Sequence, residues 1–242
     1  MILAFDSTAK IASVALMDGE KTIAEYSVDC GLTQSELLLP MAEHCLASVR
    51  ADFSAVTALA CTVGPGSFTG VRIGVATVKG LAFGKNVPCI EVSTLDALAE
   101  NLRGLTGCFA AVMDARRAQV YNALFLSDGE TLQRITPDRA ISLDALAEEL
   151  KSYEDRGIYL VGDGYEVAKK HLLAKGLSLC NTPKGLRLQS AASACAVARR
   201  MLDEGRTVTD REISPSYLRL PQAERERLER EKNNITDRKS VV

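Results

Sequence analysis

The 242-residue sequence predicts an α/β protein of two lobes, each a mixed β-sheet flanked by helices. Three observations carry this. The first hundred residues alternate apolar runs with helical stretches, in the order strand, strand, strand, helix, strand, helix, strand, helix. A glycine-rich turn, Gly64-Pro-Gly-Ser-Phe-Thr-Gly70, joins a buried strand to a helix at the centre of that unit. Beyond Arg103 the theme recurs in reduced form, with a strand ending in Gly162-Asp-Gly164 ahead of another helix. The expected division is an N-terminal lobe over 1–102, a smaller lobe over 103–221 and a charged, flexible tail over 222–242.

Ile2–Asp6, Ala12–Met17 and Thr22–Val28 read as three antiparallel strands separated by turn residues. Thr33–Arg50 is the first long helix, with Thr33 or Ser35 as cap and Glu36 in its first turn. Its apolar residues, among them Leu39, Ala42 and Leu46, sweep roughly 200°, about twice the arc one core-facing helix requires. Ala55–Val63 is a buried strand and Val71–Phe83 the helix opened by the glycine-rich turn, capped by Ser67 or Thr69. Val71, Val75, Val78 and Ala82 form its sheet-facing stripe, and the small stripe of Ile73, Thr77, Gly80 and Gly84 lies opposite. Interior glycines cost about 1 kcal/mol each relative to alanine. Close approach of another backbone, inside the domain or from a partner, would offset that.

Val87–Val92 and Thr94–Leu102 follow as strand and helix; Cys108–Met113 and Ala118–Leu126 as strands joined by Asp114-Ala-Arg-Arg117, whose arginine pair reads as an exposed charged hairpin in preference to a ligand clamp. Leu143–Leu150 is a short helix, Ile158–Val161 a strand, Gln189–Asp203 an alanine-rich helix, and Ser214–Arg219 an extended closing segment.

Net charge of −2 gives no global field for nucleic acid or membrane. Seven scattered cysteines without a Cys-x-x-Cys pair fit buried thiols in a reducing cytoplasm, where the chain is expected to reside. Asp6 interrupts the N-terminus too early for a signal peptide, and no run approaches the ~20 apolar residues of a membrane span. Two phosphate-type loops are possible. Asp6, Ser7 and Thr8 place a carboxylate and two hydroxyls at a strand end; Gly64, Gly66, Ser67 and Thr69 surround a helix N-terminus. The second lacks the Gly-Lys-Ser/Thr of a P-loop, and His44 and His171 are too isolated to suggest a metal pair.

Asp6-Ser-Thr8, Ser35-Glu36, Leu38-Leu-Pro40, Gly64–Gly74, Leu81-Ala82, Met113-Asp-Ala-Arg116, Pro215 and Tyr217-Leu-Arg219 together resemble the TsaB (YeaZ) family, from residue 1 to about 220. That resemblance implies the actin–hexokinase fold with a degenerate second lobe, and a non-catalytic paralogue of TsaD. Its implied role is accessory, in forming N6-threonylcarbamoyladenosine at position 37 of tRNAs reading ANN codons. It implies direct pairing with TsaD through the first two helices, a ternary complex with TsaE and a functional link to TsaC. It also implies a homodimer when alone and only indirect contact with tRNA. Thr94 and Leu98 stand where TsaD carries its metal-binding histidines, so no metal and no cofactor are expected. Gln34 departs from the family's more common histidine. The implied interface comprises Leu39, Ala42, Leu46, Ile73, Thr77, Gly80, Phe83 and Gly84. A competing reading, a stand-alone ATP-dependent small-molecule kinase of the same fold, would draw its carboxylates from Asp6, Asp114 and Asp163 but lacks an adenine-binding glycine segment. A metallopeptidase reading lacks a histidine pair.

Overall fold

The structure is a computed structural model describing residues 1–219. The predicted tail over 222–242 lies outside them.

The first sheet holds β1 (Ile2–Asp6), β2 (Ala12–Asp18), β3 (Lys21–Val28), β4 (Ala58–Gly64) and β5 (Cys89–Ser93), in the order β3-β2-β1-β4-β5. Its first three strands are antiparallel neighbours; β4 and β5 join parallel to β1. The parallel connections run through helices, as such crossovers require. The period-two alternation of β1 splits the sheet's faces. Leu3 and Phe5 meet α1 (Gln34–Ser48) and α2 (Phe68–Ala82), through Leu38, Cys45, Val71, Val75 and Val78. Ile2 and Ala4 meet α6 (Ala191–Asp203), where Ala15, Ala60, Ala194 and Ala198 keep side chains short and the layers close. Glu25 reaches the start of α6, its Oε1 accepting from Ser190 Oγ at 2.7 Å and the Ala192 N–H at 3.2 Å. A carboxylate is well placed at that positive helix end.

The second sheet holds β6 (Thr106–Asp114), β7 (Gln119–Asp128), β8 (Leu132–Arg134), β9 (Arg139–Ser142) and β10 (Ile158–Val161). β10 lies parallel to β6, β7 antiparallel to it, and β8 and β9 share the far edge of β7. α4 (Leu143–Leu150) and α5 (Tyr165–Ala174) cover one face. α3 (Thr94–Glu100) covers the other with Leu95, Leu98 and Ala99. The buried Glu100 carboxylate accepts from Arg103 at 2.6 Å and Arg200 at 2.7 Å, tying α3 to α6 between the sheets. The layers therefore run α1/α2, first sheet, α6/α3, second sheet, α4/α5. Two mixed sheets, each flanked by helices, are thus stacked around a shared helical layer.

The strands divide between the two sheets near residue 103, but the helices do not. α6 returns to the first sheet, Val208 bridges to Cys89, and Ile213 enters the first lobe's core. α2 starts at Phe68, three residues before the predicted Val71, because Ser67 supplies the cap by accepting the Gly70 N–H. β4 begins at Ala58 because Phe53–Ala55 forms a 3-10 turn. β8 and β9 escaped prediction. Both are short edge strands with mixed burial and no clean alternation.

Candidate functional site

The C-terminal ends of β1 and β4 place the two predicted phosphate loops side by side. Asp6 is fully buried; its Oδ1 accepts from the Thr8 N–H at 2.9 Å and the Thr8 hydroxyl at 2.7 Å. Its Oδ2 and the neighbouring Thr62 hydroxyl are buried without a hydrogen-bond partner. Burial pushes the Asp6 carboxyl up to about 6, against the opposing pull of its Thr8 bonds.

The two loops are tied to each other. The Ser67 N–H donates to the Thr8 carbonyl at 2.7 Å, and the Ser7 hydroxyl donates to the Gly70 carbonyl at 2.9 Å. The Gly70 N–H is taken by Ser67 Oγ at 3.2 Å. A Cβ at Gly66 would lie 2.5 Å from the Thr8 carbonyl oxygen, one at Gly70 1.9 Å from that of Ser7, and one at Gly74 2.7 Å from Ser7 Oγ. The glycines of this turn and of α2's first turns thus serve tight packing within the chain. Thr69 is exposed and does not cap the helix.

A third strand of chain crosses this junction. The Ser216 N–H donates to the Val63 carbonyl at 2.7 Å, and a Cβ on Gly64, whose φ is +122°, would meet Ser216 O at 2.4 Å. Arg72 donates to the Tyr217 hydroxyl at 2.7 Å and stacks 3.8 Å over the Phe68 ring. Arg219 reaches the second lobe, donating to the Ala115 carbonyl at 3.3 Å and to the Gln119 side chain. In the sequence Ser216, Tyr217 and Arg219 show only an extended closing segment and a family resemblance, with no sign of their partners. Their partners lie about 100 to 150 positions away, and no local pattern announces them.

Between the lobes lies a cleft of about 540 Å³. Thr8, Lys10, Gln34 and Ser67 line one side, Asp114, Arg116 and Asp163 the other, and Ser216–Arg219 its edge. Gln34 is spent on the Ala9 carbonyl, 2.9 Å away. Asp163 accepts from the Asp114 N–H at 3.3 Å, and burial raises its carboxyl above the ordinary range, with the Asp114 charge adding to the effect. The hairpin 114–119 carries Arg116 and Arg117 exposed at its tip, as predicted.

Thr94 and Leu98 are both buried: Thr94 Oγ1 has no partner, and Leu98 packs in the cluster beneath the second sheet. His171 pairs with Asp144 at 3.1 Å on α5, while His44 lies on α1 beside Tyr26. Among the described residues no group of three or more His, Cys, Asp or Glu could hold a metal. No helix among them is long and apolar enough to cross a membrane.

The other predicted surface is the outer side of α1 and α2. Phe83 is 75% exposed and Leu39 46%. Gly80 and Gly84 are exposed, with nothing within 4 Å of where a Cβ would sit. Ile73 and Thr77 are half-buried, the Thr77 hydroxyl donating to the Ile73 carbonyl at 2.8 Å. Ala42 and Leu46 depart from expectation. They face the first lobe's own core at 4% and 9% exposure, because α1 packs on both β2 and α2 and absorbs most of its wide apolar arc.

Residues 32–226 match the family model of TsaD, tRNA N6-adenosine threonylcarbamoyltransferase. The tRNA threonylcarbamoyladenosine biosynthesis protein TsaB of Escherichia coli K12 is 32% identical over 221 residues, covering 90% of this chain and 94% of that protein. The TsaB protein of Haemophilus influenzae is 32% identical over 231 residues, covering 90% and 93% respectively. Among solved structures, YeaZ from Pseudomonas aeruginosa superimposes with a TM-score of 0.74 at 26% identity, covering 90% of this chain and 99% of that one. Identity of this extent over nearly whole chains, on a shared fold, establishes that the chain belongs to the TsaB (YeaZ) family.

Proposed function

We propose that this chain is the non-catalytic, activating subunit of a complex that forms N6-threonylcarbamoyladenosine at position 37 of ANN-decoding tRNAs. It pairs with the catalytic paralogue TsaD, joins TsaE in a ternary complex, and works downstream of TsaC. The observation carrying this reading is the outer face of α1 and α2, uncovered among the described residues, where Leu39, Ile73, Thr77, Gly80, Phe83 and Gly84 offer apolar contact and close helix approach. Burying such a face at about 25 cal/mol per Å² favours association against the entropy of joining two bodies. In the absence of TsaD the same face pairs with a second copy. Ala42 and Leu46 take no part, since they have little surface left to bury.

Two further features support a non-catalytic role. The phosphate loops pack on each other, and the Ser67 and Gly70 N–H groups at the helix start are bonded within the chain rather than turned to a phosphate. Thr94 and Leu98 offer no imidazole at the positions of the paralogue's metal ligands.

Reconstitution of the tRNA modification with TsaC, TsaD, TsaE, ATP, threonine and bicarbonate, with and without this chain, tests the reading. Modification should require it; equal modification in its absence would overturn the assignment. Leu39→Asp and Gly80→Arg should abolish pairing with TsaD in size-exclusion chromatography without unfolding the protein. Retained pairing in both variants would refute the interface.

A further inference from the structure

We propose that the outer edge of β3 docks a second copy of this chain, two β3 strands pairing antiparallel across a two-fold axis with Tyr26 opposite its own copy. β3 ends the first sheet and is eight residues long. Among the described residues no backbone group of β3 bonds to anything but β2, so the N–H and C=O groups along its outer side are bare. The other edges are covered or short. Val208 bridges to Cys89 of β5 with bonds of 2.9 and 2.8 Å, and the Ile158 carbonyl of β10 accepts from the Cys180 N–H at 2.8 Å. β8 and β9 have only three and four residues. Among the described strands, β3 is the edge that is both long and bare.

Pairing with β2 fixes which β3 side chains share a face. Ala24, Tyr26 and Val28 stand opposite Leu16, Val14 and Ala12, which belong to the core under α1 and α2. Glu25 and Ser27 stand opposite Ala15 and Ser13 on the α6 face, where Glu25 Oε1 accepts from the start of α6. Tyr26 is 38% exposed, its ring centre 6.1 Å from that of His44.

Directly opposed residues of an antiparallel pair point to the same face, so two-fold pairing sets one residue against its own copy. With Tyr26 on the axis, Ala24 meets Val28 and the two tyrosines meet each other, an apolar row on the α1 face. On the opposite face Glu25 meets Ser27, so no like charges are opposed. Moving the axis to Glu25 opposes two carboxylates, and moving it to Ser27 opposes Glu25 to Asp29. Moving it to Ala24 draws in Thr22 and Ile23, across the irregularity where the β2 register shifts between Leu16 and Met17. The strand's own sequence selects one register for self-pairing, which is why the occupant is a second copy and not an unrelated extended segment. Two five-stranded sheets then continue into each other. The contact is separate from the α1/α2 face, because edge groups point along the plane of the sheet and α1 lies over its face.

The test is sedimentation velocity of the full chain carrying Leu39→Asp, which removes pairing through α1 and α2, at concentrations up to millimolar. It should still dimerise reversibly with a dissociation constant of about 100 μM, because one pair of short strands falls below the ~1,200 Å² of standard interfaces. Adding Tyr26→Lys sets two like charges on the axis and should weaken the dimer at least about tenfold. Circular dichroism melting verifies that each variant is folded. A short bismaleimide reads the register independently, in a Cys30→Ser background because Cys30 is an exposed thiol. Tyr26→Cys should cross-link two chains efficiently. Glu20→Cys, exposed at the turn before β3, should not, because its two copies lie about 40 Å apart in this register. A Leu39→Asp chain that is monomeric at every concentration, dimerisation unaffected by Tyr26→Lys, or cross-linking of Glu20→Cys equal to that of Tyr26→Cys would each overturn the proposal.

Discussion

Gly70→Ala concentrates the strain of the site in one methyl group. The added Cβ would lie 1.9 Å from the Ser7 carbonyl oxygen, a backbone atom that cannot rotate away. Reaching ordinary contact at 3.4 Å requires α2 and the turn after β1 to separate by about 1.5 Å. That movement breaks two hydrogen bonds, Ser7 Oγ to Gly70 O at 2.9 Å and Ser67 N to Thr8 O at 2.7 Å. Each is worth about 1 kcal/mol net, and overpacking adds about 1–3 kcal/mol. The expected loss is about 3–5 kcal/mol, a large part of the ~5–15 kcal/mol that holds a typical domain folded. Gly80→Ala is the internal control. It sits on the same helix with nothing within 4 Å of its Cβ, so helix propensity should make it stabilising by up to about 1 kcal/mol. Urea unfolding followed by circular dichroism measures both as midpoint shifts at constant m. If Gly70→Ala costs less than about 1 kcal/mol, the account of the two loops as tied to each other is wrong.

The buried Asp6 makes stability depend on pH. Its folded value of about 6 exceeds the ordinary aspartate value of 3.8, so between those limits the folded state holds the proton more tightly than the unfolded chain. The stability this confers is present below about pH 4, is lost as pH rises through 6, and amounts to about 3 kcal/mol. Asp6→Asn should flatten unfolding free energy over that window; an unchanged slope refutes the assignment. Tyr217→Ala should cost about 1–2 kcal/mol through the lost Arg72 hydrogen bond and Phe68 contact, and should speed amide exchange at Ser216. Protection equal to wild type would show that Tyr217 does not hold the strap. Cys30 is the exposed thiol, whereas Cys45, Cys61, Cys89, Cys108 and Cys195 are buried with burial raising their thiol pKa values. A thiol reagent should therefore label Cys30 first and those five only on unfolding; rapid native labelling of any of the five contradicts the packing.

Local chemistry was legible in the sequence wherever neighbours in the chain decide the outcome. The short apolar or alternating runs of β1 to β3, the start of α1 at Thr33 with Glu36 in its first turn and the Val71, Val75, Val78, Ala82 stripe all formed as their residues dictate. So did the Asp6-Ser-Thr turn and the exposed Arg116-Arg117 hairpin. The glycine-rich turn showed only that some backbone must come close. Sequence could not say which, because loop against loop and helix against partner require the same small residues. Tertiary structure resolved the two kinds of glycine. Gly66, Gly70 and Gly74 lie against Ser7 and Thr8, while Gly80 and Gly84 face solvent. It also sent α6 back to the first sheet, turned Ala42 and Leu46 inward, and laid Ser216 across Gly64. Each of these is a contact between residues distant in the chain. Its free energy comes from surface buried by both partners, which a single segment does not possess.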